Sequence, residues 1–259
     1  MAEPTLSLGF PDLQKEVGDF LGFGPTSGNW SAAKTDIIER IIQSGIRQFY
    51  FPPSLGGGMP SHNWRFLKPV TTLATVASTD TYTLPDSFGR MEGNLTFASA
   101  DNAYTAIKLV GEGVIRNLQQ RNTSATGKPR YAAVRPKAST GSTGQRFEIL
   151  LWPTPDAVYT LTYKYAALLD KITASLPYPV GGMPHAETIL ESCLAVAEMR
   201  KDDEKGLHWT QFMERLAASV EYDKQINAEF FGYNGDGSSD MPHRLDRADY
   251  IQYNSVTYP

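Results

Sequence analysis

Helical periodicity at both ends of the chain and strand periodicity in its middle constrain the fold more than any other feature of this sequence. Five isoleucines and Phe49 recur at spacings of three, four and seven over 32–50, which is typical of one buried helix face. A shorter apolar stripe covers 11–21, and two more cover 184–200 and 207–231. Pro184 is predicted at the first helical position of the third stripe. Each stripe must be buried against another element, so the two ends together predict a four-helix bundle.

The middle of the chain predicts a β domain inserted into that bundle. Six short segments there are rich in β-branched and aromatic residues, and each is bounded by Gly, Pro, Asn or Asp. Such spacing predicts an antiparallel sandwich or barrel, with a short helix over 113–120 between strands. Tyr159, Tyr163 and Tyr165 share one face of the last strand. The fold class is therefore α+β, a four-helix bundle with an inserted antiparallel β-sandwich or barrel and an extended C-terminal arm.

Composition changes along the chain predict four parts. They are an N-terminal helical hairpin, the inserted β domain, a C-terminal helical hairpin and an extended arm, at 1–60, 61–184, 185–232 and 233–259. The arm begins with turn-forming residues that should not pack as core, yet it is unusually rich in the two residue types most enriched at interface hot spots. One interpretation is an idle tail. The other is a docking arm, whose predicted contact residues are Arg244, Arg247, Tyr250, Tyr253 and Tyr258.

Charge is separated by sign along the chain. Residues 61–184 carry 13 bases and 8 acids, whereas 185–232 carry 5 bases and 10 acids. No acid lies between Glu112 and Glu148, and that stretch holds seven bases: Arg116, Arg121, Lys128, Arg130, Arg135, Lys137 and Arg146. This basic stretch could meet phosphate or an acidic protein surface, or it could be solvated and neutralised by acids that fold beside it. The net charge of −4 argues against a protein that coats nucleic acid generally.

The sequence contains no recognisable catalytic, metal or cofactor motif. Lys128 is followed by proline where a phosphate-binding loop needs Ser or Thr. The four histidines lack metal-ligand spacing, and the single cysteine, Cys193, lies on an apolar stripe where an inert buried thiol is expected. Glu187 and Glu191 share a helix face, which is more typical of a solvated surface than of an acid–base pair. We expect no enzyme activity, no metal and no cofactor.

Targeting signals are also absent from the sequence. No run of 18 apolar residues is present, and the N-terminus lacks the basic and apolar regions of a secretory signal. A single cysteine excludes an intramolecular disulfide. We therefore expect a soluble protein, made in the cytoplasm, with no membrane contact.

Four short strings appear in an order that resembles a known family. They are HNWRFL at 62–67, YTLPDSF at 82–88, GKPRY at 127–131 and LWPTPDAVYTLTYKY at 151–165. With the flanking helices they cover roughly residues 30–232, while residues 1–30 match nothing recognisable. The chain resembles the head-to-tail adaptor (connector) proteins of tailed bacteriophages, the group that includes tail tubular protein A-like connectors. The strings themselves indicate structure, since Trp64 and Trp152 have the character of core anchors.

The resemblance implies a structural protein of the virion neck. Similar proteins form a dodecameric ring beneath the portal protein, extend the channel for double-stranded DNA, and present a platform to a tail-side neck, tail tube or nozzle protein. It also implies that the C-terminal arm reaches the portal. The competing hypothesis is a β-rich tail component that binds a receptor or carbohydrate, for which exposed Tyr159, Tyr163 and Tyr165 would be the evidence.

Overall fold

The computed structural model describes residues 3–54, 61–101, 105–142 and 144–225, together with the backbone of 251–253 and 256–258. The chain divides into two compact units, Met1–Val220 and Glu221–Pro259. The α-helices of the described residues are α1 (Phe10–Phe20), α2 (Ala32–Tyr50), α3 (Glu112–Arg121), α4 (Ala186–Asp202) and α5 (Leu207–Gln225). The strands are β1 (Val70–Ala74), β2 (Thr81–Thr83), β3 (Phe88–Phe97), β4 (Lys108–Leu109), β5 (Tyr131–Lys137), β6 (Arg146–Trp152), β7 (Thr160–Ala167), β8 (Ile251–Tyr253) and β9 (Val256–Tyr258).

Helix starts follow the local sequence. The Ser31 hydroxyl accepts a hydrogen bond from the backbone N–H of Lys34 at 3.4 Å, which caps α2 at its predicted start. The prediction that Pro184 is the first residue of α4 is wrong. Pro184 lies in the 3₁₀ turn Met183–His185, and α4 begins after that turn, at Ala186. The predicted end of the last helix, residue 231, lies outside the described residues.

The helices of the first unit share one hydrophobic core. The α2 helix packs against both α1 and α4. Its isoleucine face, represented by Ile38 and Ile42, is fully buried in a cluster that also holds Leu13 of α1, Cys193 of α4 and Phe212 of α5. The predicted pairing of N-terminal and C-terminal apolar stripes is therefore present in this cluster.

The middle of the chain forms two sheets and no closed barrel among the described residues. One has the strand order β1-β7-β3 and the other β2-β6-β5-β4. The prediction of an all-antiparallel domain is wrong, because β4 runs parallel to β5. The barrel alternative is also wrong, because the two sheets are joined only by an isolated bridge between Leu95 and Ile107, and no ladder joins β1 to β2 in the described part.

Both faces of the four-stranded sheet are covered. Leu151 of this sheet and Leu161 and Tyr163 of the other sheet belong to one buried cluster. On the opposite face, Ile115 of α3 packs against Leu150. The fold class is thus mixed α+β, with five α-helices and these two sheets in the described residues, and the short helix predicted between strands is present.

The second unit contains a two-stranded antiparallel hairpin. Strands β8 and β9 pair Ile251 with Tyr258 and Tyr253 with Val256. The sequence predicted an extended arm here, and the alternation of apolar residues in both short segments accounts for the strands instead. The rest of the arm lies outside the described residues.

Candidate functional site

Much of the basic stretch is neutralised by acids that fold beside it. The Arg135 Nε atom lies 2.6 Å from Glu148 Oε1, its cross-strand neighbour, and Arg135 Nη1 lies 3.7 Å from Glu112 Oε1. Arg116 also pairs with Glu112, one helical turn away in α3. The two acids that flank the acid-free stretch in sequence are therefore its partners in space.

The other bases of the stretch differ in their partners. Arg146 pairs with Asp86 at 3.4 Å, and Lys137 Nζ donates to the Thr83 hydroxyl at 3.2 Å. Lys128 donates to the backbone carbonyl of Asp101. These contacts hold the β segments together and leave these three bases less available to a partner.

Two arginines of the stretch, Arg121 and Arg130, are exposed and make no hydrogen bond or ion pair through their side chains to the described residues. The Arg130 carbonyl accepts a hydrogen bond from the backbone N–H of Lys108 at 3.0 Å. Lys108, which is also exposed, is therefore a third base beside Arg130 where β4 pairs with β5. Sequence reasoning missed Lys108, because only the parallel pairing of β4 with β5 brings it there. We call Lys108, Arg121 and Arg130 the exposed bases.

An aromatic cluster joins the ends of two helices to the segment that leads into β1. Trp64 is fully buried, and its Nε1 donates to the carbonyl of Phe49 at 2.8 Å. Its ring centroid lies 4.6 Å from that of Phe49, 5.3 Å from Phe66 and 5.2 Å from His185. Trp64 is the core anchor that the sequence predicted. Trp152 is only half-buried and packs beside the α3 cluster.

A cleft of about 500 Å³ opens beside this aromatic cluster. Tyr50, Phe51 and His62 line it from the helical side, and Phe147 and Leu168 line it from the β side. Its described lining residues include no carboxylate. Exposed Phe51 and Leu168 make it a groove for apolar contact.

The residues considered for catalysis have structural partners. Burial raises the pKa of the Cys193 thiol to about 12, so the thiolate that nucleophilic chemistry needs is not formed near neutral pH. Glu191 is buried and lies 2.9 Å from His208 Nδ1, and Glu187 lies 3.7 Å from Arg215. The two carboxylates therefore bind different neighbours on α5.

The described residues contain neither a candidate metal site nor a candidate membrane span. In that part of the chain no group of three or more His, Cys, Asp or Glu side chains could hold a metal ion. None of the helices described is long and apolar enough to cross a membrane.

The side chains of all five predicted docking residues lie outside the described part of the chain. Arg244, Arg247 and Tyr250 lie outside the described residues. Tyr253 and Tyr258 are the last residues of β8 and β9, so the structure places their backbone in the hairpin.

Comparison with known proteins identifies the family. A family model described as SU10 adaptor protein matches residues 10–235, which includes all five helices and both sheets of the first unit. No curated protein matches the sequence. The match is to a phage adaptor family and does not extend to the narrower likeness to tail tubular protein A. The chain therefore belongs to the SU10 adaptor protein family, and it is a structural component of a bacteriophage particle that contacts other head and tail proteins.

Proposed function

We propose that this protein is a head-to-tail adaptor that forms a ring beneath the portal and performs no catalysis. The family match over residues 10–235 is the observation that carries the proposal. In the proposed assembly, twelve copies extend the DNA channel and offer a platform to a tail-side neck, tail tube or nozzle protein. The ring lies in the neck of the virion, and its subunits are made in the host cytoplasm.

The fold suits a rigid ring subunit. We propose a four-helix bundle that carries a β-sandwich insert, with the buried Trp64 cluster fixing the insert to the helices. A subunit of a head-to-tail ring shows different surfaces to its two neighbours. The separation of bases in the β region from acids in α4 and α5 supports such a pair of unlike surfaces.

Charge supports passage of DNA without specific binding. The net charge is −4, and Glu112, Glu148 and Asp86 neutralise three arginines of the basic stretch. Strong phosphate contacts would hold DNA in the channel, so a surface with few available bases lets it slide. The exposed bases Lys108, Arg121 and Arg130 remain for an acidic protein surface.

Portal docking is proposed for the C-terminal arm. Its candidate contacts are Arg244, Arg247, Tyr250, Tyr253 and Tyr258, chosen because Tyr and Arg dominate interface hot spots.

The competing hypothesis of a receptor- or carbohydrate-binding tail component loses its main evidence. It needs exposed aromatic side chains on the last strand, but Tyr163 is 3 % exposed, and Tyr159 and Tyr165 are also buried between the sheets. Stacking on a sugar is therefore not available to these three rings.

Electron microscopy of purified portal rings tests the proposal. The rings are mixed with the full-length protein, and in parallel with a chain cut after Gly232. We expect a second ring stacked on the portal with the full-length chain alone. Binding by both forms would keep the adaptor and refute docking by the arm. The absence of added density with the cognate portal would refute the adaptor function itself.

A further inference from the structure

Three of the four edge strands of the two sheets are protected against pairing with another chain. Strands β2 and β4 are only three and two residues long. Strand β3 has two irregularities in its register and carries the Arg90–Glu92 ion pair. Its residue Leu95 also forms an isolated antiparallel bridge with Ile107. Short length, bulges and charges are the usual ways in which natural sheets prevent edge-to-edge association.

The fourth edge, β1, has none of these protections. Its five residues, Val-Thr-Thr-Leu-Ala, contain no charge and no proline, and they pair with β7 in unbroken register. Val70 at its start is 64 % exposed. Just past its end, both backbone groups of Val76 bond the Tyr82 hydroxyl, so the open edge stops there. An uncharged, regular edge of this kind is a template for a further strand.

The hydrogen-bond pattern shows which groups of β1 are available. The Thr75 N–H donates to the Tyr159 carbonyl, and the Pro69 carbonyl accepts from the Tyr165 N–H. The backbone N–H and C=O groups of the odd-numbered residues of β1 therefore point toward β7. In an antiparallel pair the alternate residues point their N–H and C=O groups away. Those of Val70, Thr72 and Ala74 therefore point outward, and no described residue hydrogen-bonds them.

The same chain carries a hairpin that needs another strand. Strands β8 and β9, Ile-Gln-Tyr and Val-Thr-Tyr, are uncharged and pair only with each other among the described strands. A lone two-stranded hairpin is marginally stable in water and gains stability from a third strand. Residues 226–250 separate it from α5, and 25 residues can span at most about 80 Å, so the chain length permits contact with a second copy.

We propose that the β8–β9 hairpin of one copy pairs with the β1 edge of a second copy and extends that copy's three-stranded sheet. Each subunit then supplies one hairpin and one open edge, so the contact is head-to-tail and can close into a ring. The inference rests on the proposed function for the presence of neighbouring copies. Strand addition uses backbone groups of the hairpin, so it does not compete with side-chain docking of the arm to the portal.

Disulfide trapping between two single-cysteine variants tests the contact. Thr72→Cys protein is mixed with Gln252→Cys protein, and in parallel with Thr257→Cys protein, on portal rings under mild oxidation. A mixed dimer can form only between copies, and native Cys193 is buried and does not compete. We expect dimers on a non-reducing gel with Thr72→Cys. The control, Thr83→Cys on the short edge β2, should give at least tenfold less dimer.

A proline variant gives a second, independent measurement. Thr72→Pro removes an N–H that points to solvent, so the pairing of β1 with β7 and the far-UV circular dichroism should persist. We expect it to abolish the trapping of Ala74→Cys by the hairpin cysteines, while Thr72→Val retains it. Trapping that is unchanged by Thr72→Pro would overturn the proposal.

The outcomes separate this proposal from the adaptor function. A ring on the portal with mixed dimers supports both. A ring without mixed dimers overturns the pairing of the hairpin with β1 of a second copy and leaves the adaptor function intact. Mixed dimers without a ring support the pairing of the hairpin with β1 and refute portal docking. If neither a ring nor mixed dimers form, both proposals are refuted. A cross-link found only within one chain, in the Thr72→Cys/Gln252→Cys double variant, would overturn the role of a second copy.

Discussion

The backbone of Cys193 lies so close to Gly45 that α2 and α4 could not hold their distance with any other residue at position 45. A Cβ placed on Gly45 would lie 2.6 Å from the Cα of Cys193 and 2.7 Å from its sulfur. The Ser192 hydroxyl donates to the Gly45 carbonyl at 2.8 Å at the same crossing. Glycine is thus required here for close helix packing, and α2 continues through Gly45 without a break.

Replacing Gly45 should therefore destabilise the fold. Overpacking a well-packed site typically costs about 1–3 kcal/mol, so Gly45→Ala should lower the free energy of unfolding by that amount in urea titration. The matched control is Gly113→Ala in α3, where an added Cβ meets nothing within 4 Å. It should be neutral or stabilise by up to about 1 kcal/mol. Equal effects of the two changes would refute the close approach.

Cys193 should resist thiol reagents in the native protein. Burial raises its pKa to about 12, and the thiolate is the reactive form. We expect no labelling by a disulfide reagent at pH 8 until denaturant is added, with the labelled fraction following the unfolding curve. The exposed Thr72→Cys variant serves as the positive control. Rapid labelling of Cys193 without denaturant would contradict its burial.

Glu92 should make stability depend on pH in the acid range. The hydrogen bond from Arg90, and then the charge of Lys68, hold the pKa of the Glu92 carboxyl below its usual 4.5. The unfolded state therefore binds the proton at higher pH than the folded state, so this stabilisation is present above about pH 4.5 and is lost as pH falls through the folded-state pKa.

The Glu92→Gln variant tests that dependence. The pair is partly exposed, so the variant should lose up to about 1 kcal/mol of unfolding free energy at pH 7. The difference from the natural protein should shrink as pH is lowered through the acid range, measured by urea titration at several pH values. Glu221→Gln, whose ion pair with Lys224 is exposed, is the control and should show little difference at any pH. A constant difference for Glu92→Gln would argue against the ion pair.

Glu198, a residue of α4, should stabilise the start of α5. Its Oε2 accepts from the backbone N–H groups of Gly206 at 3.2 Å, His208 at 3.1 Å and Trp209 at 3.4 Å. These are donors that a helix start leaves without an intrahelical partner. Glu198→Ala should cost about 1–2 kcal/mol in thermal or urea unfolding, which is typical of a lost cap. The control, Glu204→Ala at the exposed corner, should change stability by less than about 0.5 kcal/mol.

Sequence patterns predicted those features that depend on residues close together in the chain. The helix over 32–50, the buried face of β7 and the burial of Cys193 all follow from local periodicity, because one face of a regular element must leave water. Trp64 was predicted differently, as a core anchor within the string HNWRFL that follows the second helix.

Tertiary structure alone decided which strands meet and which charges far apart in the sequence are paired. Glu148 faces Arg135 only because β5 and β6 pair in one register, and Lys108 joins Arg130 only because β4 runs parallel to β5. The β1 edge is open because β7 covers its other side and no other described strand pairs with it. Strand order and register come from the packing of side chains far apart in sequence, and local periodicity carries no record of that pairing.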